Sequence, residues 1–355
     1  MTDTTDEPPV SASASLSASA PRSAPAPGPG APRHALLVCR HGETDRAMIR
    51  RAVDWATAVG ASLSVLGVRD LPGDLDRIAR STGSGRVDLE NRLLADHRAT
   101  LEVAVAEAVP GEARPDVHVR VGKPFLEIIR HVQAQGHDLV IKTADDTGGL
   151  SRYLFASTDQ HLLRKCPAAV WLQRRDQPLS VRRLLVAVDV DEAMASEPDT
   201  LAGLNRRLLD LAVGITDATT EAIHVVHVWD APGEGLVRLW TNAPDPDRAA
   251  EAYVSEVQGA HGRALDQLVA DARAGLPTEQ AASLPLTARL ERGVVRQALP
   301  ALVDSLSVDL LVMGTVARTG VPGLLIGNTA EDILNATDCS VLTAKPPGFV
   351  SPIGV

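Results

Sequence analysis

Residues 117–143 read VHVRVGKPFLEIIRHVQAQGHDLVIKT, and residues 288–314 read ARLERGVVRQALPALVDSLSVDLLVMG. Laid over one another, they place Gly122 on Gly293 and Asp138 on Asp309. Thr158 then falls on Thr329 at the same spacing of 171 residues. Each segment is a short apolar run, a glycine, an amphipathic stretch, a polar turn and a second apolar run. That sequence of patterns is strand, turn, helix, turn, strand. A fixed-period self-similarity of this kind means that the chain carries one structural unit twice.

Working outward from this pair extends both copies. LLVCRH, at residues 36–41, parallels LLVAVD at residues 184–189. The first copy predicts strands at 35–39, 62–68, 117–121, 139–142 and 168–172. Its helices fall at 45–59, 87–109, 125–135 and 159–165. The second copy predicts strands at 184–188, 222–228, 286–290, 310–313 and 341–344, with helices at 201–213, 249–271, 295–306 and 329–335. The strands are nearly continuous apolar runs, which is expected when helices cover both faces of a parallel sheet. The fold class is therefore α/β, with two tandem doubly wound five-stranded parallel-sheet domains.

The flanks differ in character. Residues 1–32 are rich in Ala, Ser and Pro, with nothing to build a core, and read as a disordered tail. RRDQPLS at 174–180 is short, polar and Pro-containing, and reads as a linker. This divides the chain into a tail at 1–32, a first domain at 33–176 and a second at 177–350.

Composition bounds the function. The chain has 355 residues and a formal charge of −10. Such a balance opposes nucleic acid and anionic membranes in the absence of a local basic patch. No apolar run approaches the roughly 18 residues of a membrane span. Three separated cysteines, Cys39, Cys166 and Cys339, suit a reducing compartment, and the expected location is cytoplasmic. Aromatic residues make up 3% of the chain, so the cores are aliphatic. Trp171, Trp229 and Trp240 are placed at or after strand ends.

Ligands of doubly wound sheets bind beyond the carboxyl ends of the strands. In the second copy, GTVARTGVPGLLIGNTAEDI at 314–333 follows the fourth strand. Its glycines free backbone N–H groups, and Gly327, Asn328 and Thr329 open a helix. A helix N-terminus beside such a loop favours an anion. Arg318 adds a positive charge. Asp189, just after the first strand, is placed to accept a ribose or base donor or to hold a divalent ion. The alternative for each of these residues is an ordinary turn.

This arrangement resembles the universal stress protein family, most closely its tandem E-type members. The family carries Gly-x2-Gly-x9-Gly-Ser/Thr between its fourth strand and last helix, and an Asp after its first strand. The same spacing runs from Gly314 through Ala317 to Gly327, with Asn328 and Thr329 at the Ser/Thr position. HDLVIK and TDQHLLRKCPAAVWL also look like E-type segments. The resemblance covers about residues 34–350. It implies a Rossmann-like fold of the adenine nucleotide alpha hydrolase type and a groove for ATP or AMP in the second copy. Asp189 would meet ribose or base, Val228 would offer backbone to the base, and Gly314, Gly327, Asn328 and Thr329 would hold the phosphates. It also implies pairing of the two copies within one chain, with room for a homodimer. Ala317 and Asn328 depart from the pattern. The first copy departs further: its loop reads TADDTGGLSRYLFAST, with Asp145 and Asp146 where carboxylates would repel a phosphate. This site is expected not to bind nucleotide as the family does.

Two other readings stand beside this one. The stretch 229–247, with Leu236, Val237, Leu239 and Trp240, would suit a lipid-like ligand or a protein partner. Arg40-His41-Gly42-Glu43 also resembles the signature of histidine phosphatases, whose second histidine and further arginines have no counterpart in the first copy. Enzymatic turnover is not expected, although slow ATP hydrolysis stays open.

Overall fold

The computed structural model describes residues 30–40, 46–71, 73–111, 114–145, 157–175, 177–191, 197–315 and 328–354. The first copy runs β1 (His34–Arg40), α1 (Arg46–Val59), β2 (Ser62–Arg69), α2 (Leu75–Ser81), α3 (Arg86–Ala108), β3 (Asp116–Val121), α4 (Pro124–Gln135), β4 (Leu139–Thr143), α5 (Ser157–Lys165) and β5 (Ala169–Gln173). The second runs β6 (Arg183–Ala187), α6 (Pro198–Gly214), β7 (Ala222–Trp229), α7 (Glu234–Trp240), α8 (Pro246–Ala274), α9 (Thr278–Ser283), β8 (Leu286–Arg292), α10 (Val295–Ser305), β9 (Leu310–Gly314), α11 (Asn328–Ala336) and β10 (Ser340–Ala344). Every strand and long helix expected from the pattern is present within a few residues. Three short helices, α2, α7 and α9, were not legible, because one or two turns carry too little periodicity to register.

The expected pair of five-stranded sheets is one sheet. Its order is β3-β2-β1-β4-β5-β10-β9-β6-β7-β8. Within each copy the strands are parallel, and the copies join where β5 and β10 run antiparallel, with Val341 opposite Leu172 and Thr343 opposite Val170. Both joining strands are buried along their whole length. Each would otherwise be an apolar edge with unpaired backbone groups, and joining them removes both edges. The helices cover two faces, and each apolar layer is continuous across the seam.

The residues that revealed the repeat have matching structural jobs. Asp138 accepts hydrogen bonds from the N–H groups of Arg33 and His34, and Asp309 accepts from those of Arg182 and Arg183. Each carboxylate thus fixes the start of its copy's first strand, and the pairing matches Leu36 with Leu185, one residue on from the register of 36–41 against 184–189 read from the sequence. Gly122 and Gly293 have φ of 141° and 156°, and their N–H groups donate to Arg69 and Trp229 carbonyls. A side chain at either would be strained, so both copies keep glycine.

The expected linker and tail are partly built into the fold. Gln177 Oε1 accepts from the N–H and hydroxyl of Ser340 at 3.0 and 2.8 Å, while Leu179 and Val181 are buried. At the tail boundary, Ala31 and Pro32 are buried. A Cβ on Gly214 of α6 would lie 2.4 Å from Ala31 Cα, so the first copy's approach crosses the second copy's helix at close range. Trp171 is not at a strand end: it lies inside β5, fully buried, edge-on to Trp55 at 5.7 Å.

Candidate functional site

In the second copy, β6 lies between β7 and β9, so the chain's winding reverses between β6 and β9. Asp189 follows β6 and Gly314 ends β9, which puts both at this switch point, as the sequence predicts. Asn205 of α6 holds the Asp189 backbone in both directions: its Nδ2 donates to the Asp189 carbonyl at 2.6 Å, and its Oδ1 accepts from the Asp189 N–H at 3.2 Å. The Asp189 carboxylate accepts from the Asp191 N–H at 3.2 Å. The turn beyond β6 is thereby fixed from the side chain of a buried residue.

His227 of β7 braces the same turn. Its Nδ1 lies 3.2 Å from the Val188 carbonyl and 3.9 Å from Asp189 Oδ1, and its Nε2 lies 3.0 Å from His261 Nδ1 of α8. The two imidazoles stack, and Trp229 packs beside them under the guanidinium of Arg292. Residue 261 had no signal of its own in the sequence. The superposed copies explain the pair. His97 of α3 occupies the matching place in the first copy, where β2 has Gly67, and a Cβ on Gly67 would fall 2.8 Å from the His97 ring. The second copy fills that space with an imidazole that reaches the Asp189 turn.

Val228 is buried at the end of β7, beside this turn. Gly314 has a local reason to be glycine: a Cβ there would lie 2.7 Å from Leu204 Cδ2 of α6. Its small size serves the packing of a helix on the strand end. Thr329, the second residue of α11, is exposed. Asn328 begins that helix, whereas Gly327 and Arg318 lie outside the described residues, as do Ala317 and Asp146. In the first turn of α11, Glu331 pairs with Arg164 of α5 at 3.1 Å, across the seam.

The corresponding place in the first copy is built from charge. Lys142 of β4 is buried and pairs with Asp145 at 2.6 Å and Asp159 at 2.8 Å. Asp159, fully buried in the first turn of α5, also accepts from the Asp145 N–H at 2.9 Å. Burial pushes its carboxyl above the ordinary range, and the Lys142 ammonium opposes that shift. The helix end that would favour a bound anion is taken by the protein's own carboxylate. At the matching positions the second copy has Met313, Val316 and Ala330, none of them charged.

Of the Arg40-His41-Gly42-Glu43 sequence, Arg40 ends β1 and residues 41–43 lie outside the described residues. Cys166 and Cys339 are buried thiols, pushed up to about 11 and about 12 by burial, as expected of packing residues. Among the described residues no three His, Cys, Asp or Glu side chains converge as metal ligands, and no helix is long and apolar enough to cross a membrane.

Comparison with known proteins agrees with this organisation. The model of the universal stress protein family matches residues 33–174 and again 180–345. Universal stress protein E of Escherichia coli (strain K12) is 27% identical over 327 residues, which cover 90% of this chain and 96% of that protein. Among solved structures, a putative universal stress protein from Pseudomonas aeruginosa UCBPP-PA14 has a TM-score of 0.58 at 23% identity, over 89% of this chain and 94% of that one. A universal stress protein from Archaeoglobus fulgidus DSM 4304 has a TM-score of 0.52 at 17% identity, over 88% and 98%. The chain belongs to the universal stress protein family, carries the family's unit twice, and is of the tandem E type.

Proposed function

We propose that the second copy binds an adenine nucleotide, ATP or AMP, at the switch point between β6 and β9, and that the first copy does not. The observation that carries this reading is the contrast at the last helix of each copy. In the first, Asp145 and Asp159 pair with Lys142, and Asp159 stands in the first turn of α5. In the second, the matching residues are uncharged, and no Asp or Glu occurs anywhere from Thr315 to Asn328. An anion there would meet helix N–H groups, with the first-turn carboxylate Glu331 already paired to Arg164, and Arg318 would add a positive charge. Asp189, held in place by Asn205 and His227, is set to receive a ribose or base donor. The reading is of binding rather than turnover, and a divalent cation accompanying the phosphates would be held at Asp189.

Equilibrium titration with labelled ATP and AMP tests the reading. Ala330→Asp copies the first copy's carboxylate into the second, and Gly327→Trp fills the loop. Each is expected to abolish binding, and unchanged affinity in both would refute the site. Within the cell the balance of charge and three buried cysteines outside any disulfide fit a cytoplasmic protein.

A second reading rests on α7. Leu236, Leu239 and Trp240 are exposed there, whereas the equivalent α2 buries Leu75 and Ala79. An apolar ligand or protein partner would use that face. Native mass spectrometry of the purified chain distinguishes a non-nucleotide ligand by its mass.

A further inference from the structure

The first copy holds a group of histidines that the proposed function does not use. His131 of α4 is 2% exposed, and neither of its ring nitrogens has a hydrogen-bond partner. Its ring lies 4.7 Å from that of His118 on β3 and 5.3 Å from that of His137 in the turn after α4. His137 is also buried, with Nδ1 unpartnered. On the neighbouring helix, His161 of α5 packs 4.0 Å from the Phe125 ring of α4, and its Nδ1 has no partner.

The second copy shows that the fold does not need these rings. At the matching positions His131 becomes Leu302 and His137 becomes Val308, both buried, while His118 becomes Arg289 and His161 becomes Asp332. Two apolar core positions in one copy are thus imidazoles in the other. A neutral imidazole packs as a flat, weakly polar group, but a protonated one in the same place is an unpaired buried charge.

The surroundings give a proton no compensation at His131. The groups acting on it are His118 and Arg120 from β3 and His137 from the turn, each positive when charged. His137 faces His34 of β1 and His118, with Asp138 the one opposing carboxylate. His161 faces Lys165 and Arg164 of its own helix. On the outer side of α4, Glu127 is paired with Arg130.

We infer that this histidine cluster makes the first copy an acid-sensitive unit, in which mild acid opens the packing of α4 on β3 while the second copy stays closed. Burial and the adjacent positive groups hold His131 down to about 4, against an ordinary value near 6.5. An opened α4 takes up the proton that the closed form refuses. Opening is therefore favoured as pH falls from about 6.5 toward about 4, and is unaffected above that window. From His131 alone the open fraction is expected to rise about twenty-fold between pH 7 and pH 5. The inference stands on the cluster and its apolar counterparts, and does not depend on nucleotide binding.

Hydrogen exchange of the full chain at pH 7 and pH 5, corrected for the intrinsic rate, tests it by comparing residues 124–138 with 295–309. Protection in the first segment should fall by about the stated factor, while the second is unchanged. His131→Leu and His137→Val, which copy the second copy's residues, should each reduce the pH effect. Equal protection of 124–138 at both pH values would overturn the inference, as would equal loss in both segments, or a folded Leu variant with the wild-type pH response. Ring-proton NMR of the wild-type protein covers the case in which the variants fail to fold. A His131 ring that stays neutral to pH 5 supports the inference, and one that titrates near 6.5 in the closed state refutes it.

Discussion

The ammonium group of Lys345, just beyond β10, donates a hydrogen bond to the carbonyl of Leu163 near the carboxyl end of α5, so the second copy caps a helix of the first. Lys345 is buried and also donates to Thr315 Oγ1 at 2.6 Å. The equivalent residue in the first copy, Arg174, has a carboxylate partner, Asp338, at 2.6 Å. Pro167 stands where Asp338 would recur, and the helix carbonyl takes over the role of the acid. Lys345→Ala removes both bonds, leaving the Thr315 hydroxyl as the remaining donor to the Leu163 carbonyl, and is expected to cost about 2 kcal/mol. Thermal unfolding of the variant, read by circular dichroism, checks this as a lowered midpoint.

The same lysine predicts a response to alkali. Burial pushes it down to about 8 from its ordinary 10.5. Between those values the unfolded chain keeps a proton that the folded chain has lost, so this group's contribution to stability rises with pH across that window. Denaturant unfolding at pH 7.5 and pH 10 should show the wild type gaining on Lys345→Met at the higher pH. A difference that does not move would show that the ammonium is not held down.

Lys142, Asp145 and Asp159 form a buried ionic group whose members depend on each other. Removing one partner, as in Lys142→Met, is expected to cost about 3–5 kcal/mol because two buried carboxylates lose their counter-charge. The triple change Lys142→Met, Asp145→Val and Asp159→Ala reproduces the second copy's residues and should recover most of that loss. Stability measured across the set checks the coupling directly.

Gly314 separates packing from ligand contact. Gly314→Ala forces a methyl group against Leu204 and is expected to destabilise by about 1–3 kcal/mol. Adding Leu204→Ala removes the clash. If the glycine serves packing, nucleotide affinity in the double variant returns to that of Leu204→Ala alone. If the backbone must meet a phosphate, affinity stays low.

Asn205 supports the Asp189 turn through paired hydrogen bonds. Asn205→Leu keeps the size of the side chain but removes both bonds. Nucleotide affinity is expected to fall about ten-fold, the equivalent of roughly 1.4 kcal/mol. Equilibrium titration beside a stability measurement shows whether the loss exceeds any destabilisation of the fold.

The repeat, the strands, the long helices and the switch-point position of Asp189 were all legible in the sequence. Each depends on local hydrophobic period or on a residue type recurring in register. Asp138 and Asp309 were visible as a matched pair, although their task of holding the first strand was not. His261, Asn205 and Lys345 gave no comparable signal, because each acts on a residue far away in the chain. Trp171 was misplaced because the strand runs on to the polar Gln173, beyond the apolar run, which puts Trp171 at the middle of β5.

The amino-acid sequence by itself determined that this is a doubled α/β protein of the universal stress protein family, since period, punctuation and repeat spacing are properties of the linear chain. Tertiary structure alone decided that the two copies form one ten-stranded sheet, by pairing β5 with β10. It also decided that Asp145 and Asp159 neutralise Lys142, and that histidines take apolar core positions in the first copy only. The physical reason is common to all three. Burial, edge pairing and charge neutralisation depend on which side chains meet across the fold, and that is set when the helices close on the sheet.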